Sequence, residues 1–432
     1  MKKFKLKELA AVDFSGVDKK SKPSEKTVLL CNFVDVYHNW AITEDMEPTF
    51  MVATATEKET ERFILKKGQV ALTKDSETRD DIGISTYIAD NLNNTILGYH
   101  NALITPDEKK LSGKYLNAYF HSSMAKTYFS NNASGSGQRY ALSVDTINDF
   151  QIYLPDIENQ KRIGNLFSFI DRKIALNRAI NRNLEAMAKR LYDYWFVQFD
   201  FPDENGRPYK TSGGKMVWNE TLKRDIPEGW EVKELGEIAE VLNGATPSTN
   251  DSSNYGSDIV WVTPKDLSVQ KDKFVYYSER GISFKGFNSC STHILPKGSL
   301  LMSSRAPIGL LAISLIEVCT NQGFKNMVPN EKSDNYFLYY YLQEHMMQIQ
   351  QLGSGTTFAE ISKETLSRFP ILYMSDRCLY KKWHNIIDAI FEKQSIVSKE
   401  IHKLENFRDK LLPLLMNGQV SIRRLNSDLS AH

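Results

Sequence analysis

The chain has 432 residues, four cysteines, 25% charged residues and a formal net charge of +1. That length allows two or three domains, each with its own core, and the near-neutral balance excludes a chain that holds nucleic acid by bulk charge alone. No charged start leads into an apolar segment, and the longest apolar runs, such as Leu310 to Ile316, fall far short of a bilayer. A cytoplasmic protein with no membrane span is therefore expected. Cys31, Cys290, Cys319 and Cys378 lie far apart, a spacing that suggests neither a zinc site nor a disulfide framework.

Charge is unevenly distributed. Residues 1–155 carry 19 basic and 20 acidic groups and residues 230–375 carry 12 and 15, whereas 156–199 carry 8 against 5 and 376–432 carry 10 against 7. A DNA contact would need the basic groups gathered on one face of each domain, or a partner that meets much of the phosphate backbone.

In chain order, FKLKELAAV, Phe4 to Val12, has a counterpart in WEVKELGEI, Trp230 to Ile238, which predicts a domain that starts over in mid-chain. A strand-like run, Glu61 to Thr73, passes through Lys67 and Gly68 and matches Lys297 and Gly298 ahead of Ser299 to Met302. Each is a turn feeding a buried strand. Aromatic residues at helical spacing follow, Leu111 to Phe129 and Tyr336 to Leu352, and they read as core rather than as base-stacking platforms. Next come small-residue loops, SGSGQRYA from Ser134 and GSGTTFAEIS from Gly353. Such a loop either offers backbone N–H groups to a phosphate or makes a tight turn. Neither ends in Gly-Lys-Ser/Thr, so nucleotide hydrolysis is not indicated. Thr146, Ile147, Phe150 and Ile152 then match Thr365, Leu366, Phe369 and Ile371.

Both halves end in a long helical stretch. Alternating steps of three and four through Glu158 to Val197 stop at Ile163, Leu166, Ile170, Lys173, Asn177, Ile180, Leu184, Met187, Leu191 and Tyr194. Adding 220 to each gives Trp383, Ile386, Ile390, Lys393, Val397, Glu400, Leu404, Phe407, Leu411 and Leu414, so the register survives without a slip. A narrow seam over about five heptads predicts a helix that packs along another helix. Lys173 and Lys393 would help to define its register. Between the halves, Asp200 to Gly229 is rich in Gly, Pro, Asn and charge and reads as a surface linker.

The expected fold is α+β, with two mixed α/β domains in tandem and two long helices pairing as an antiparallel coiled coil. The segments are domain one (1–155), central helix (156–199), linker (200–229), domain two (230–375), C-terminal helix (376–420) and flexible tail (421–432).

Catalytic constellations are missing. There is no glycine-rich dinucleotide fingerprint, no His-Glu-x-x-His helix, and no Asn/Asp-Pro-Pro-aromatic motif of the amino-methyltransferases. His100, His121, His293 and His345 stand singly, and Asp80 and Asp81 read as a solvated turn. This much structure without chemistry predicts a recognition subunit.

The strings IPEGWEVKELGEIAEVLNGATPSTN from Ile226, WVTPKDL from Trp261, LPKGSLLMSSRAPIGLLAI from Leu295, TNQGFKNMVP from Thr320 and GSGTTFAEIS from Gly353 resemble the specificity subunits of type I restriction-modification systems. In the first half the resemblance rests on the repeat and on DDIGIS, Asp80 to Ser85. It implies two target recognition domains, each reading half of a split site in double-stranded DNA, with two helices setting the distance between the halves. It also implies no catalytic activity and no cofactor in this chain. Two methyltransferase subunits and two restriction/translocase subunits are the implied partners, with S-adenosylmethionine, ATP and Mg in those partners.

Base reading requires polar side chains at base edges and others on phosphates. The candidates in domain two are Lys265, Ser303, Ser304, Arg305, Asn321, Gln322 and Lys325, which cluster in loops between apolar strands, with Thr356 and Thr357 as phosphate contacts. In domain one they are Lys74, Thr78, Arg79, His100, Asn101, Gln138 and Arg139. The competing readings are a self-sufficient DNA methyltransferase, which would need a cofactor-binding glycine motif, and a coiled-coil scaffold that does not bind DNA, which would not need two similar domains.

Overall fold

The computed structural model describes residues 2–136, 139–270, 272–305, 307–353, 360–374 and 377–420. It divides into two compact units, residues 1–176 with 401–432, and residues 177–400. Each unit therefore combines one α/β domain with parts of both long helices.

In the first unit, β1 (Lys2–Lys5) pairs antiparallel with a strand that closes the domain, Gln151–Leu154. The main sheet is built from β2 (Ala10–Phe14), β3 (Ala41–Ile42), β4 (Val70–Thr73), β5 (Ser85–Ile88) and β6 (Asn101–Pro106), in the order β2-β6-β4-β5-β3. Only the edge pair β3 and β5 is parallel.

The second unit repeats this plan. Trp230–Glu234 pairs antiparallel with Pro370–Met374. Its sheet contains β7 (Ala239–Asn243), β8 (Phe274–Val275), β9 (Leu300–Ser303), β10 (Leu311–Ser314) and β11 (Phe324–Pro329), in the order β7-β11-β9-β10-β8, again with a parallel edge pair, β8 and β10. Equal strand order, chain order and strand direction make these two copies of one fold.

The central strands β4 and β9 are buried at all four positions, as apolar strands with neighbours on both sides should be. Each follows a turn at a glycine with positive φ, Gly68 at 96° and Gly298 at 93°, where a side chain would be strained. The predicted run from Glu61 is otherwise: Glu57–Phe63 is a helix, capped by Thr56, whose hydroxyl accepts from Glu59 N. The opening repeat also slides. Leu6 N donates to Phe150 O and Leu235 N to Phe369 O, both at 2.9 Å, so Leu6 is equivalent to Leu235 and LKELA aligns with LGEIA.

The aromatic stretches are core. Tyr115, Tyr119, Phe120, Phe129 and Phe150 are buried in the first unit, and Phe337, Tyr340, Tyr380 and Trp383 in the second. The segment expected to be a surface linker is partly core as well. Phe199 and Phe201 are buried, Phe201 stacks on Tyr209 and Trp230, and Met216–Asn219 pairs with Arg224–Pro227 as a hairpin.

The long helices are α1 (Ile157–Tyr192), continued by a π-helical turn over Asp193–Val197, and α2 (Cys378–Met416). They run antiparallel within each unit. In the second, Asn177 bonds Glu400, Asn181 bonds Ser398 and Glu185 bonds Gln394, so one number rises as the other falls. In the first, Ile163, Phe167, Ile170 and Ile174 share a core with Leu404, Leu411 and Leu415.

The seam is displaced from its predicted stripe. Ile163, Ile170, Trp383, Val397 and Leu411 are buried, and Leu166, Leu184, Leu191, Ile390 and Leu404 are partly buried. Ile180, Met187, Ile386 and Phe407 are instead exposed, at 40, 55, 47 and 44%. The buried partners lie one residue later, at Phe167, Ile174, Ala188 and Trp195 in α1 and its π-turn, and at Ile387, Gln394 and Leu415 in α2. Steps of four then three replace three then four in both helices. The stripe thus runs through Ile174 and Gln394 rather than Lys173 and Lys393.

Candidate nucleic-acid interface

The two domains bring the chain to the same local geometry at the end of the buried central strand. β4 ends at Thr73 and β9 at Ser303; the next carbonyls, of Lys74 and Ser304, accept from Leu142 N at 2.8 Å and Ile361 N at 3.1 Å. Leu142 and Ile361 each follow a small-residue loop and precede an identical serine cap. Ser143 Oγ and Ser362 Oγ both accept from the backbone N–H three residues on, at 3.0 Å, which starts a short helix. These bonds make Lys74 equivalent to Ser304, Asp75 to Arg305 and Ala141 to Glu360.

In domain one, Lys74, His100 and Arg139 converge on Asp75. His100 Nδ1 and Arg139 Nη2 lie 2.8 and 3.4 Å from Asp75 Oδ2, and Lys74 Nζ lies 3.8 Å away. Arg139 Nη2 is also 2.8 Å from His100 Nδ1. That one ring nitrogen either donates to Asp75 or accepts from Arg139. Lys74 is largely buried, with its ammonium 4.5 Å from the centre of the half-exposed Tyr99 ring. Arg79 is exposed, its guanidinium 5.1 Å from the centre of the Tyr140 ring, and Thr78 is exposed beside it.

In domain two the centre is Glu360. Arg305 Nε lies 3.0 Å from Oε2 and Lys325 Nζ 3.3 Å from Oε1, while Lys325 also reaches Ser304 Oγ at 3.5 Å. Burial pushes the Glu360 carboxyl up, but hydrogen bonds from Arg305 and Lys325 outweigh it and hold the group below the usual glutamate range.

Other candidates are placed differently. Asn101 is fully buried and donates to Gly98 O, and Ser303 is fully buried, donating to Pro307 O at 2.6 Å and accepting from Leu310 N at 2.8 Å. Both shape turns, and neither side chain faces outward. Lys265 is exposed but paired with Glu279 at 2.7 Å; Asn321 Oδ1 accepts from Gly323 N, and Gln322 bonds Thr246. Gln138, Thr356 and Thr357 lie outside the described residues. Sequence reasoning chose cations, amides and hydroxyls and so passed over the carboxylates Asp75 and Glu360, on which these cations converge. The available signal was that Asp75 directly follows Lys74 and that Glu360 closes the small-residue loop.

Among the described residues, no group of three or more His, Cys, Asp or Glu side chains is arranged to hold a metal ion, and no helix is long and apolar enough to cross a membrane.

The family model for the type I restriction modification DNA specificity domain matches residues 1–186 and again 227–373, one match for each copy of the fold. The chain belongs to the family of type I restriction-modification specificity subunits. It is 26% identical to the HindI specificity subunit of Haemophilus influenzae over 82% of this chain and 87% of that one. It is 39% identical to the MjaIX specificity subunit of Methanocaldococcus jannaschii over 37% of this chain and 39% of that one. The solved S subunit of a type I system from M. genitalium shares the fold, with a TM-score of 0.60 at 15% identity, over 96% of this chain and 95% of that one. As a specificity subunit the protein supplies DNA sequence recognition to a type I complex and is itself non-catalytic.

Proposed function

We propose that each domain of this specificity subunit reads one half of a bipartite DNA site, through the Lys74, His100 and Arg139 group in one domain and the Ser304, Arg305 and Lys325 group in the other. The observation that carries this reading is the equivalence of the two clusters. Two copies of one fold gather cations at the same end of the same strand, although the residues themselves differ. Variation at a fixed place is what two readers of different base sequences require.

On this reading the paired helices set the spacing between the half-sites. Two methyltransferase subunits and two restriction/translocase subunits complete the complex, and S-adenosylmethionine, ATP and Mg belong to them. The exposed apolar residues of α1, Phe169, Leu176 and Met187, suit a methyltransferase contact. The complex works in the cytoplasm. The test is co-expression with the cognate methyltransferase, followed by mapping of methylated bases across the genome. The expected motif has two specified blocks separated by unspecified positions; a single uninterrupted motif would overturn the reading.

A further inference from the structure

Asp75 and Glu360 occupy the centres of the two clusters, yet neither is of the sign that attracts DNA. Asp75 leaves the central strand of its domain and meets Arg139, which comes from the segment after the small-residue loop. In domain two the roles are exchanged: Arg305 leaves the strand and Glu360 comes from the segment after the loop. The strand-side partner has changed sign at one equivalent position, Asp75 against Arg305, while the loop-side partners stand two positions apart, because Glu360 aligns with Ala141 rather than with Arg139. A strand-side residue and a loop-side residue of opposite charge thus meet at the same end of the central strand in both domains, with the signs reversed.

Each carboxylate engages more than one cation, and the engaged groups differ in exposure. Arg305 and Arg139 side chains are 49 and 58% exposed, whereas Lys325 and Lys74 are 8 and 10% exposed. The arginines are therefore the groups free to turn outward, and the lysines keep the carboxylate fixed behind them. A phosphate approaching either arginine has to replace a carboxylate already in place, and it meets that carboxylate's negative charge. A base edge is different. An amino group of cytosine or adenine donates to a carboxylate, while the arginine released from the pair donates to guanine. Such a cluster penalises backbone-only contact and is repaid only by bases of the right pattern.

Resting on the reading that these clusters face DNA, we propose that Asp75 and Glu360 are specificity-determining residues that hold the reading arginines in ion pairs and so suppress binding to non-cognate sequence. Each acts on the half-site of its own domain.

The experiment uses the full chain in complex with its methyltransferase subunits. The probes are a duplex carrying the mapped site and equal-length duplexes with one or both half-sites scrambled, titrated by fluorescence anisotropy at several salt concentrations. Glu360→Gln should tighten binding to the duplex scrambled in the domain-two half-site by on the order of threefold to tenfold, the scale of one phosphate interaction gained. It should leave discrimination at the other half-site unchanged. Asp75→Asn should do the converse, and Glu360→Asp, which keeps the charge, should keep discrimination. Unchanged affinity for scrambled DNA, or equal weakening on all duplexes, would overturn the proposal, the latter marking a purely structural prop. Thermal melting of each variant separates misfolding from either result. The underlying reading fails by a different result: combined Arg305→Ala and Lys325→Ala substitution that leaves affinity for every duplex unaltered.

Discussion

Asn181 donates its side-chain amide to the Ser398 hydroxyl across 2.9 Å, joining the two long helices where their apolar seam is interrupted. Around this bond Asn177 donates to Glu400 at 2.9 Å, and Gln394 donates to Asn181 O at 3.3 Å and to Glu185 at 3.2 Å. Lys273, from the recognition domain, completes the layer by pairing with Glu185, its ammonium 3.7 Å from the centre of the Phe391 ring. Burial holds that ammonium below the usual lysine range, against the pull of the Glu185 carboxylate. Sliding either helix by one turn would leave these groups buried without partners, so the layer fixes register where leucines alone would tolerate slippage.

Lys273→Met should lower the stability of the second unit by about 1–3 kcal/mol, because it removes the cation that pairs with the partly buried Glu185 carboxylate and leaves it the neutral donors Tyr340 and Gln394. Adding Glu185→Gln should recover part of that loss. Denaturation of the two single variants and the double variant gives the coupling, and strict additivity would show that the pair is not energetically linked.

The displaced seam separates two adjacent isoleucines. Ile387 is fully buried and Ile386 is 47% exposed. Ile387→Ala should cost about 2–4 kcal/mol and Ile386→Ala less than about 1 kcal/mol, measured by chemical denaturation. The reverse order would restore the stripe predicted from periodicity.

His121 stacks on Trp40 with ring centres 4.4 Å apart and donates through Nε2 to Ser85 O at 2.9 Å. Burial pushes its pKa down to about 4, against 6.5 for a free imidazole. Between those values the unfolded chain takes up a proton that the folded chain refuses, so stability is full above pH 6.5 and falls toward pH 4 by up to about 3 kcal/mol. His121→Gln should flatten the melting temperature of the first unit across that window, and a profile identical to that of the unaltered protein would exclude His121 as its source.

Arg305→Ala should weaken or relax recognition of one half-site by about 1–3 kcal/mol and leave preference at the other intact. Mapping of methylated sites reads both halves at once, and altered preference in both would show that the domains are not independent readers.

Inserting seven residues into both helices at matched depth preserves the heptad phase and adds about 10 Å, close to three base pairs of DNA rise. The spacer between mapped half-sites should lengthen accordingly. Affinity should drop as well, because three base pairs also turn the second half-site about 100° around the duplex. Methylation retained at the original spacing would remove the helices from the role of ruler.

Much of this organisation is local enough to be written in the sequence. Gly68 and Gly298 mark turns because only glycine accepts their φ without strain, and the constant offset of 220 between the long helices reflects a period that every heptad repeats. The seam itself was not decided locally. Leu166 and Phe167, or Ile386 and Ile387, are equally apolar neighbours, and which one faces inward depends on the helix opposite. Where the neighbours differ, periodicity favours the larger apolar residue, Ile180 over Asn181 and Met187 over Ala188, whereas the paired helices bring the polar and the small residue inward, for a hydrogen bond and for close approach. Ser303 and Asn101 look like outward-facing polar groups in the sequence, but the strand ends turn them toward backbone carbonyls. The ion pairs of Asp75 with Arg139 and Arg305 with Glu360 span more than fifty residues each, so only the fold that returns the loop segment to the end of the central strand puts opposite charges within reach.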